Sequence, residues 1–392
     1  MNSLEYFKSA TTFQLIIQTN LSCNIRCKHC YEADGNYPVE TMDYDTLEKI
    51  IMLAQKQYKK VSYLWFGGEP LIVGLDFYKK VVEFQRKYNA NTEIKNSIQT
   101  NGILLTPEYI DFFKDNGFNV SISYDAQYND VLRERTNAVE TNIELCKTKN
   151  LKVSTISTIS RDTSNKQIEM YDFLCSKNLN AKFNRIFPEG NGKVCRNYLI
   201  SDEDYLSDMK EFFHSWLFNK NASSFCTFDI YLSALFNLSH RECIFSGCLF
   251  KWLAVTPNGT LLPCPRFGNS DISLGNIHDY DNLYEAFHSK NYEKLLTKNV
   301  DRRNDCQKNC KWFIYCNGGC NARCYWEGDI ANPNTEICRF VKGFFPYIVS
   351  TVKDVIDRDL ISNTNEFFQK LVTNNRDNFI KTINYCETNN LI

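Results

Sequence analysis

The stretch FQLIIQTNLSCNIRCKHCYE, residues 13–32, joins a run of apolar and β-branched residues to three closely spaced cysteines. Its first eight residues read as a buried strand. Cys23, Cys27 and Cys30 follow at once in the pattern C-x3-C-x2-C. Three thiolates are one short of a closed four-ligand site, and an open coordination position is what separates catalytic metal sites from structural ones. The competing reading is a closed zinc or iron–sulfur site completed by a distant cysteine.

Outward from this stretch, short apolar runs alternate with amphipathic ones. The strand-like runs are FQLIIQTN, VSYLWF (61–66), TEIKNSIQTN (92–101), FNVSISYD (118–125), LKVSTIST (151–158) and AKFNRIF (181–187). Between them, YDTLEKIIMLAQKQ (44–57), LDFYKKVVEFQRKY (75–88), PEYIDFFKDNG (107–117) and SNKQIEMYDFLCSKN (164–178) carry helical periodicity. Gly117 is expected to cap the third of these and Ser164 to open the fourth. Repeated strand–helix units predict parallel strands with right-handed crossovers, and in barrel versions of that plan chemistry gathers at the strands' C-terminal ends. The cysteine triplet follows strand one, GGEP (67–70) follows strand two and QTNG (99–102) ends strand three, so three distinctive segments converge on one face.

The chain has 392 residues, 43% hydrophobic content and a formal net charge of −1, without a basic tract that would point to nucleic acid. No apolar run is long enough to span a membrane, and the N-terminus lacks a signal-peptide pattern. Seventeen cysteines without an export signal fit the reducing cytoplasm and metal binding better than disulfides. Cys146, Cys175, Cys195, Cys226 and Cys386 have no cysteine at ligand spacing and read as small buried apolar side chains. The rest form a second cluster: Cys243, Cys248 and Cys264, then Cys306, Cys310, Cys316, Cys320, Cys324 and Cys338. Gly259, in VTPNGTLLPC, marks a hairpin-like turn. Four-thiolate sites suit zinc or iron–sulfur equally. The last fifty residues read as helices whose apolar face is Phe344, Phe345, Ile348, Val352, Val355 and Ile356.

The triplet with His29 before its last cysteine, the GGEP and the QTNG together resemble the signature of the radical S-adenosylmethionine (SAM) superfamily. CQKNCKWFIYCNGGC, with the cysteines around it, resembles the SPASM domain of that superfamily, although its first spacing is C-x3-C where C-x2-C is usual. The resemblance implies an α/β fold: a partial (β/α)6 barrel over 1–190, a helical bridge over 191–242, a SPASM domain over 243–342 and a C-terminal helical segment over 343–392. It implies three [4Fe–4S] clusters. The SAM-binding one would sit on Cys23, Cys27 and Cys30. One auxiliary cluster would take Cys243, Cys248, Cys264 and Cys320, the other Cys306, Cys310, Cys316 and Cys338, with Cys324 left over. The amino group and carboxylate of SAM would chelate the open iron, and reductive cleavage would yield a 5′-deoxyadenosyl radical that takes hydrogen from a substrate. Gly67 and Gly68 would let the backbone approach the bound methionine, and Glu69 would accept from its ammonium. Ser123 and Arg135 would serve the carboxylate and ribose, with Arg133 a competitor. His29 would pack beside the cluster.

Over nearly its whole length the chain resembles anaerobic sulfatase-maturating enzymes and related peptide-modifying maturases. The former oxidise a Cys or Ser to formylglycine, using as base an Asp that follows the equivalent of Cys264. Here Pro265 follows, which can neither accept a proton nor donate a backbone hydrogen bond. Asp229, in TFDIY, or a deprotonated cysteine is the replacement candidate, against the reading that Asp229 is a solvent-facing helix acid. The expectation is therefore a cytoplasmic peptide or protein maturase installing a thioether or other crosslink, served by an electron donor such as flavodoxin or ferredoxin. A sulfatase maturase with a relocated base and a non-catalytic iron–sulfur peptide-binding protein are the alternatives.

Overall fold

The computed structural model describes residues 12–30, 32, 39–186, 196–220, 222, 226–238, 242–268 and 270–392. The β-branched and aromatic runs become β1 (Thr12–Gln18), β2 (Lys60–Phe66), β3 (Glu93–Thr100), β4 (Asn119–Ser123), β5 (Val153–Ile159) and β6 (Asn180–Arg185), within two residues of their expected bounds. They pair in parallel and in sequence order. That order belongs to a barrel-type sheet, whereas a doubly wound sheet reverses direction at its middle. Register places Leu15 opposite Tyr63 and Ile122 opposite Thr155. Every second residue of β1 and β2 is buried, as the two-residue period of a strand requires.

The sheet does not stop at β1. Residues of the cysteine-rich segment form β7 (Trp252–Val255), parallel to β1, and β8 (Leu261–Leu262), antiparallel to β7. The order is β6-β5-β4-β3-β2-β1-β7-β8. The hairpin between the last two strands turns at Gly259, whose φ of +82° suits a residue without a Cβ.

Helix Tyr44–Gln57 begins where Asp43 Oδ1 accepts from Thr46 N at 2.7 Å, and it buries Leu47, Ile50, Ile51, Leu53 and Ala54. Helix Pro107–Asp115 ends at Asn116, and Gly117 follows in the left-handed region. The expectation for Ser164 is corrected: helix Gln167–Ser176 starts after Lys166 with no side-chain cap, and the Ser164 hydroxyl instead donates to Asp208 at 2.9 Å. Of the isolated cysteines, Cys146 and Cys386 are fully buried and Cys175 half-buried. Cys195 and the Cys226 side chain lie outside the described residues.

Between the sheet and the chain end lie helices Asp202–Phe218, Cys226–Leu235 and Thr335–Asp357. The last of these buries Phe344, Phe345, Ile348, Val349, Val352 and Val355, while Ile356 is half-buried. Residues 342 and 343 sit inside it. One continuous core runs from Phe13 to Cys386. Arg185, at the end of β6, ties these parts together through ion pairs of 2.8 Å to both Asp202 and Glu336. Among the described residues no helix is long and apolar enough to cross a membrane.

Candidate metal centres

The loop carrying Cys23, Cys27 and Cys30 lies across the C-terminal ends of the first five strands, and backbone bonds hold it there. Thr19 N donates to Phe66 O and Lys28 N to Leu132 O, each at 2.8 Å. Asn101, past β3, reaches Asn24 Oδ1 at 2.7 Å and lies 3.9 Å from the Cys23 sulfur. His29 Nε2 lies 3.4 Å from Thr158 Oγ1, on β5. Burial and the Arg133 charge keep that imidazole neutral. Burial pushes the Cys27 thiol up to about 11.

The two glycines of GGEP serve this loop directly. A Cβ on Gly67 would overlap the Asn20 carbonyl and one on Gly68 the Ser22 carbonyl. Without side chains, Gly68 N and Glu69 N bond to those same carbonyls at 3.0 and 2.8 Å. Glu69 is wholly buried. Its carboxylate accepts from Leu71 N, Thr100 Oγ1 and Asn101 N at 2.7–3.0 Å, and burial raises its pKa to about 7 against those bonds. The carboxylate expected to accept from an ammonium also joins the ends of β2 and β3: Oε1 takes two of these bonds and Oε2 one.

The structure separates the two arginines. Arg135 is exposed, at φ +61°. Arg133 turns inward, donating to Asp125 at 2.8 Å and to Thr158 at 3.0 Å, and it acts on Cys27. Arg133 is therefore the guanidinium beside the thiols, and Arg135 is not. Ser123 ends β4 half-buried, accepting from Gln99 at 2.9 Å.

In the second half, the thiols fall into two sets of four. Cys243, Cys248, Cys264 and Cys320 line one cavity of about 200 Å³, shared with Lys182 and Arg185 of β6. Cys306, Cys310, Cys316 and Cys338 line another of about 220 Å³. Cys324 is buried and lines neither. Burial, with repulsion between neighbouring thiolates, raises Cys243, Cys248 and Cys316 to about 12. These groups are neutral thiols at ordinary pH, so a metal must displace their protons. Among the described residues no three His, Cys, Asp or Glu side chains meet at single-ion geometry. A cubane puts each iron on its own thiolate, so its ligands surround a volume, as four thiols around a cavity do.

Asp229 is half-buried, which raises its pKa to about 6. It is not a solvent-facing acid, and it is not on the wall of the cavity of Cys243, Cys248, Cys264 and Cys320 either. Its helix presents Thr227, Ile230 and Tyr231 to that cavity, and Asp229 lies on the other side of the turn. The carboxylates that do line the cavity, Glu242 and Glu336, are held by Lys182 at 2.5 Å and Arg185 at 2.8 Å. Sequence reasoning passed over Asn101 as an individual residue, and over Arg302 and Asn321, which stand between the two thiol sets. Only an asparagine within QTNG and an arginine one helical turn before Cys306 hinted at them.

Residues 17–174 match the radical SAM superfamily, and residues 243–321 match SPASM, an iron–sulfur cluster-binding domain. The cysteine-type anaerobic sulfatase-maturating enzyme of Clostridium perfringens is 27% identical over 355 residues, covering 85% of this chain and 95% of that one. The serine-type enzyme of Bacteroides thetaiotaomicron is 25% identical, covering 87% and 90%. The solved structure of native anSMEcpe with bound AdoMet and Kp18Cys peptide superposes with a TM-score of 0.79 at 27% identity, covering 88% of this chain and 99% of that one.

Proposed function

Because the chain belongs to the radical SAM superfamily and carries a SPASM domain, we propose that it is a peptide or protein maturase that installs an oxidative crosslink, such as a thioether, in its substrate. Cys23, Cys27 and Cys30 would ligate the SAM-binding cluster. Cys243, Cys248, Cys264 and Cys320 would hold one auxiliary cluster, and Cys306, Cys310, Cys316 and Cys338 the other. When bound, these groups and SAM supply a 5′-deoxyadenosyl radical and a route for electrons to a donor such as flavodoxin or ferredoxin.

The chain's own residues shape the rest. Gly67 and Gly68 hold the cysteine loop at the strand ends, Arg133 keeps a positive charge beside it, and Asn101 bonds to it. Glu69 fixes the spacing of the β2 and β3 ends. The reacting part of the peptide would enter the cavity between β6 and the auxiliary thiols.

One observation carries the crosslinking reading. Pro265 follows Cys264, and each carboxylate on the cavity wall is already ion-paired. Among the described residues, a free base for aldehyde formation is thus missing from the place where the resemblance expects it. The second reading, formylglycine formation with a relocated base, is favoured by the likeness to sulfatase maturases along most of the chain. The test gives the anaerobically reconstituted chain SAM, dithionite and the peptide encoded beside it, and in parallel a synthetic sulfatase Cys/Ser peptide. Loss of two hydrogens with no hydrazide-reactive carbonyl supports crosslinking. An aldehyde on the synthetic peptide supports the second reading. Absence of 5′-deoxyadenosine overturns both.

A further inference from the structure

Arg302 is completely buried, yet no carboxylate pairs with it among the described residues. Its Nη1 donates to Ile330 O at 2.5 Å and its Nη2 to Asn321 Oδ1 at 2.6 Å. Nε is buried with no hydrogen-bond partner. Lys and Arg are almost never fully buried without a counter-charge, because desolvating an unpaired ion is costly. Among the described residues no side chain supplies that anion.

The surroundings name it. Asn321 lines the cavity of Cys243, Cys248, Cys264 and Cys320, whereas Gly318 lines the other. A Cβ on Gly318 would lie 3.9 Å from Arg302 Nε. The guanidinium therefore stands in the wall between the two thiol sets, one edge toward each. Cys306 is four residues further along the same helix, Lys290–Asn309, one turn away.

Asn321 carries the first of these contacts to sulfur. Its Oδ1 accepts from Arg302 and, at 2.7 Å, from Asn299 Nδ2. With two donors on the oxygen, the amide can turn only its nitrogen to the remaining neighbour, the Cys248 sulfur at 3.5 Å.

We propose that Arg302 is the shared counter-charge of the two auxiliary clusters, and that through Asn321 it also orients an N–H···S hydrogen bond onto Cys248. This rests on the reading that both thiol sets hold iron–sulfur clusters. Cluster potentials follow net charge and hydrogen bonds to sulfur. A buried cation favours the more negative, reduced state. Arg302 is thus a positioning residue that raises both potentials.

The test measures potentials, not turnover. Clusters are assembled anaerobically in the full chain carrying Cys23→Ala, Cys27→Ala and Cys30→Ala, so that only auxiliary signals remain. They are then titrated by electron paramagnetic resonance at controlled potential. With Arg302→Met, the reduced-to-oxidised ratio at fixed potential falls about tenfold for both clusters, which is about 59 mV for one electron. Arg302→Lys keeps the charge and recovers most of that shift. Asn321→Ala lowers the cluster on the Cys248 side, and the other moves by less than half as much. Unchanged potentials in Arg302→Met overturn the proposal while leaving the cluster reading intact. Should Arg302→Met fail to fold, Asn321→Ala decides: no shift, or equal shifts in both clusters, overturns it. A chain that binds no iron at the eight cysteines overturns the underlying reading instead.

Discussion

Arg133 Nε donates to Asp125 Oδ2 at 2.8 Å, with the two side chains only 9% and 1% exposed, directly beside the first cysteine loop. Thr158 N adds a 2.6 Å bond to the same carboxylate. The pair joins the end of β4 to β5 and aims a positive charge at Cys27. Removing one member leaves the other buried and uncompensated, at a cost of about 3–5 kcal/mol. Arg133→Met is expected to lower the free energy of unfolding by about that much in urea titration, and Arg133→Met with Asp125→Leu by much less. A single-variant loss below about 1 kcal/mol would show that the pair is not the clamp described here.

The glycines of GGEP differ from glycines elsewhere in what surrounds them. Gly68→Ala forces a methyl into the Ser22 carbonyl, whereas a methyl on Gly74 meets nothing. Gly68→Ala is therefore expected to displace the cysteine loop, cost about 1–3 kcal/mol and reduce iron retained at the first site. Gly74→Ala, at φ +88°, should cost only backbone strain and leave iron content unchanged. Iron assay and unfolding curves on both variants decide this, and equal iron content in the two would refute it.

Glu69 supplies a pH dependence. Burial raises its pKa from 4.5 to about 7, so the fold favours the protonated carboxyl. Its contribution is complete below about pH 4.5 and is lost as pH rises through 7, a change of about 3 kcal/mol. Glu69→Gln is expected to be less stable at low pH, because an amide cannot satisfy all three donors, and to lack that slope. Urea unfolding at pH 5 and pH 8 measures it. A wild-type chain whose stability relative to Glu69→Gln stays constant across that range contradicts the assignment.

Pro265 bears on which modification is made. Pro265→Asp returns a carboxylate to the residue after Cys264. If the missing base is what blocks aldehyde formation, this variant should raise hydrazide-trapped product on a sulfatase Cys peptide by at least about 10²-fold. Equal aldehyde yield from the wild-type chain means that the base lies elsewhere.

Cys324 offers a check on the ligand sets. It lines neither cavity, so Cys324→Ala is expected to leave iron content and spectra unchanged, whereas Cys320→Ala loses the signal of one auxiliary cluster only. Loss of iron in Cys324→Ala would move that residue into a ligand set.

The six central strands were legible because their β-branched runs are bounded by turn residues and their burial alternates, as β1 and β2 show. Helix Tyr44–Gln57 was legible from its apolar stripe and the acid that caps it. Helix Thr136–Thr148 was passed over, since only Val139, Ile143 and Cys146 are buried along it and its start lacks a side-chain cap. The four-residue strand Trp252–Val255 is too short to announce that it would add to a strand over two hundred residues earlier. Spacing picked out the cysteines, but it could not choose between Arg133 and Arg135. Two residues on one short loop differ in direction: Arg133 is held inward by Asp125 and Thr158, while Arg135 sits at a left-handed turn. Nor could it foresee that Glu69 would join the ends of two strands, or that Arg302 would be buried with no anion among the described residues. Those facts depend on which strand ends meet, and that is not a local property of the chain.

The seating of β7 against β1, with Gln14 opposite Trp252 and Ile17 opposite Val255, has a consequence for biogenesis. During synthesis the amino-terminal half emerges with the outer rim of its first strand bare, a template for wrong partners until some 240 residues later the correct one arrives. Closure of that rim is a long-range event, so folding of the whole should be slow, and a polypeptide halted near residue 190 should clump rather than persist. The cysteine-rich half thus acts as the permanent edge guard of the half that precedes it.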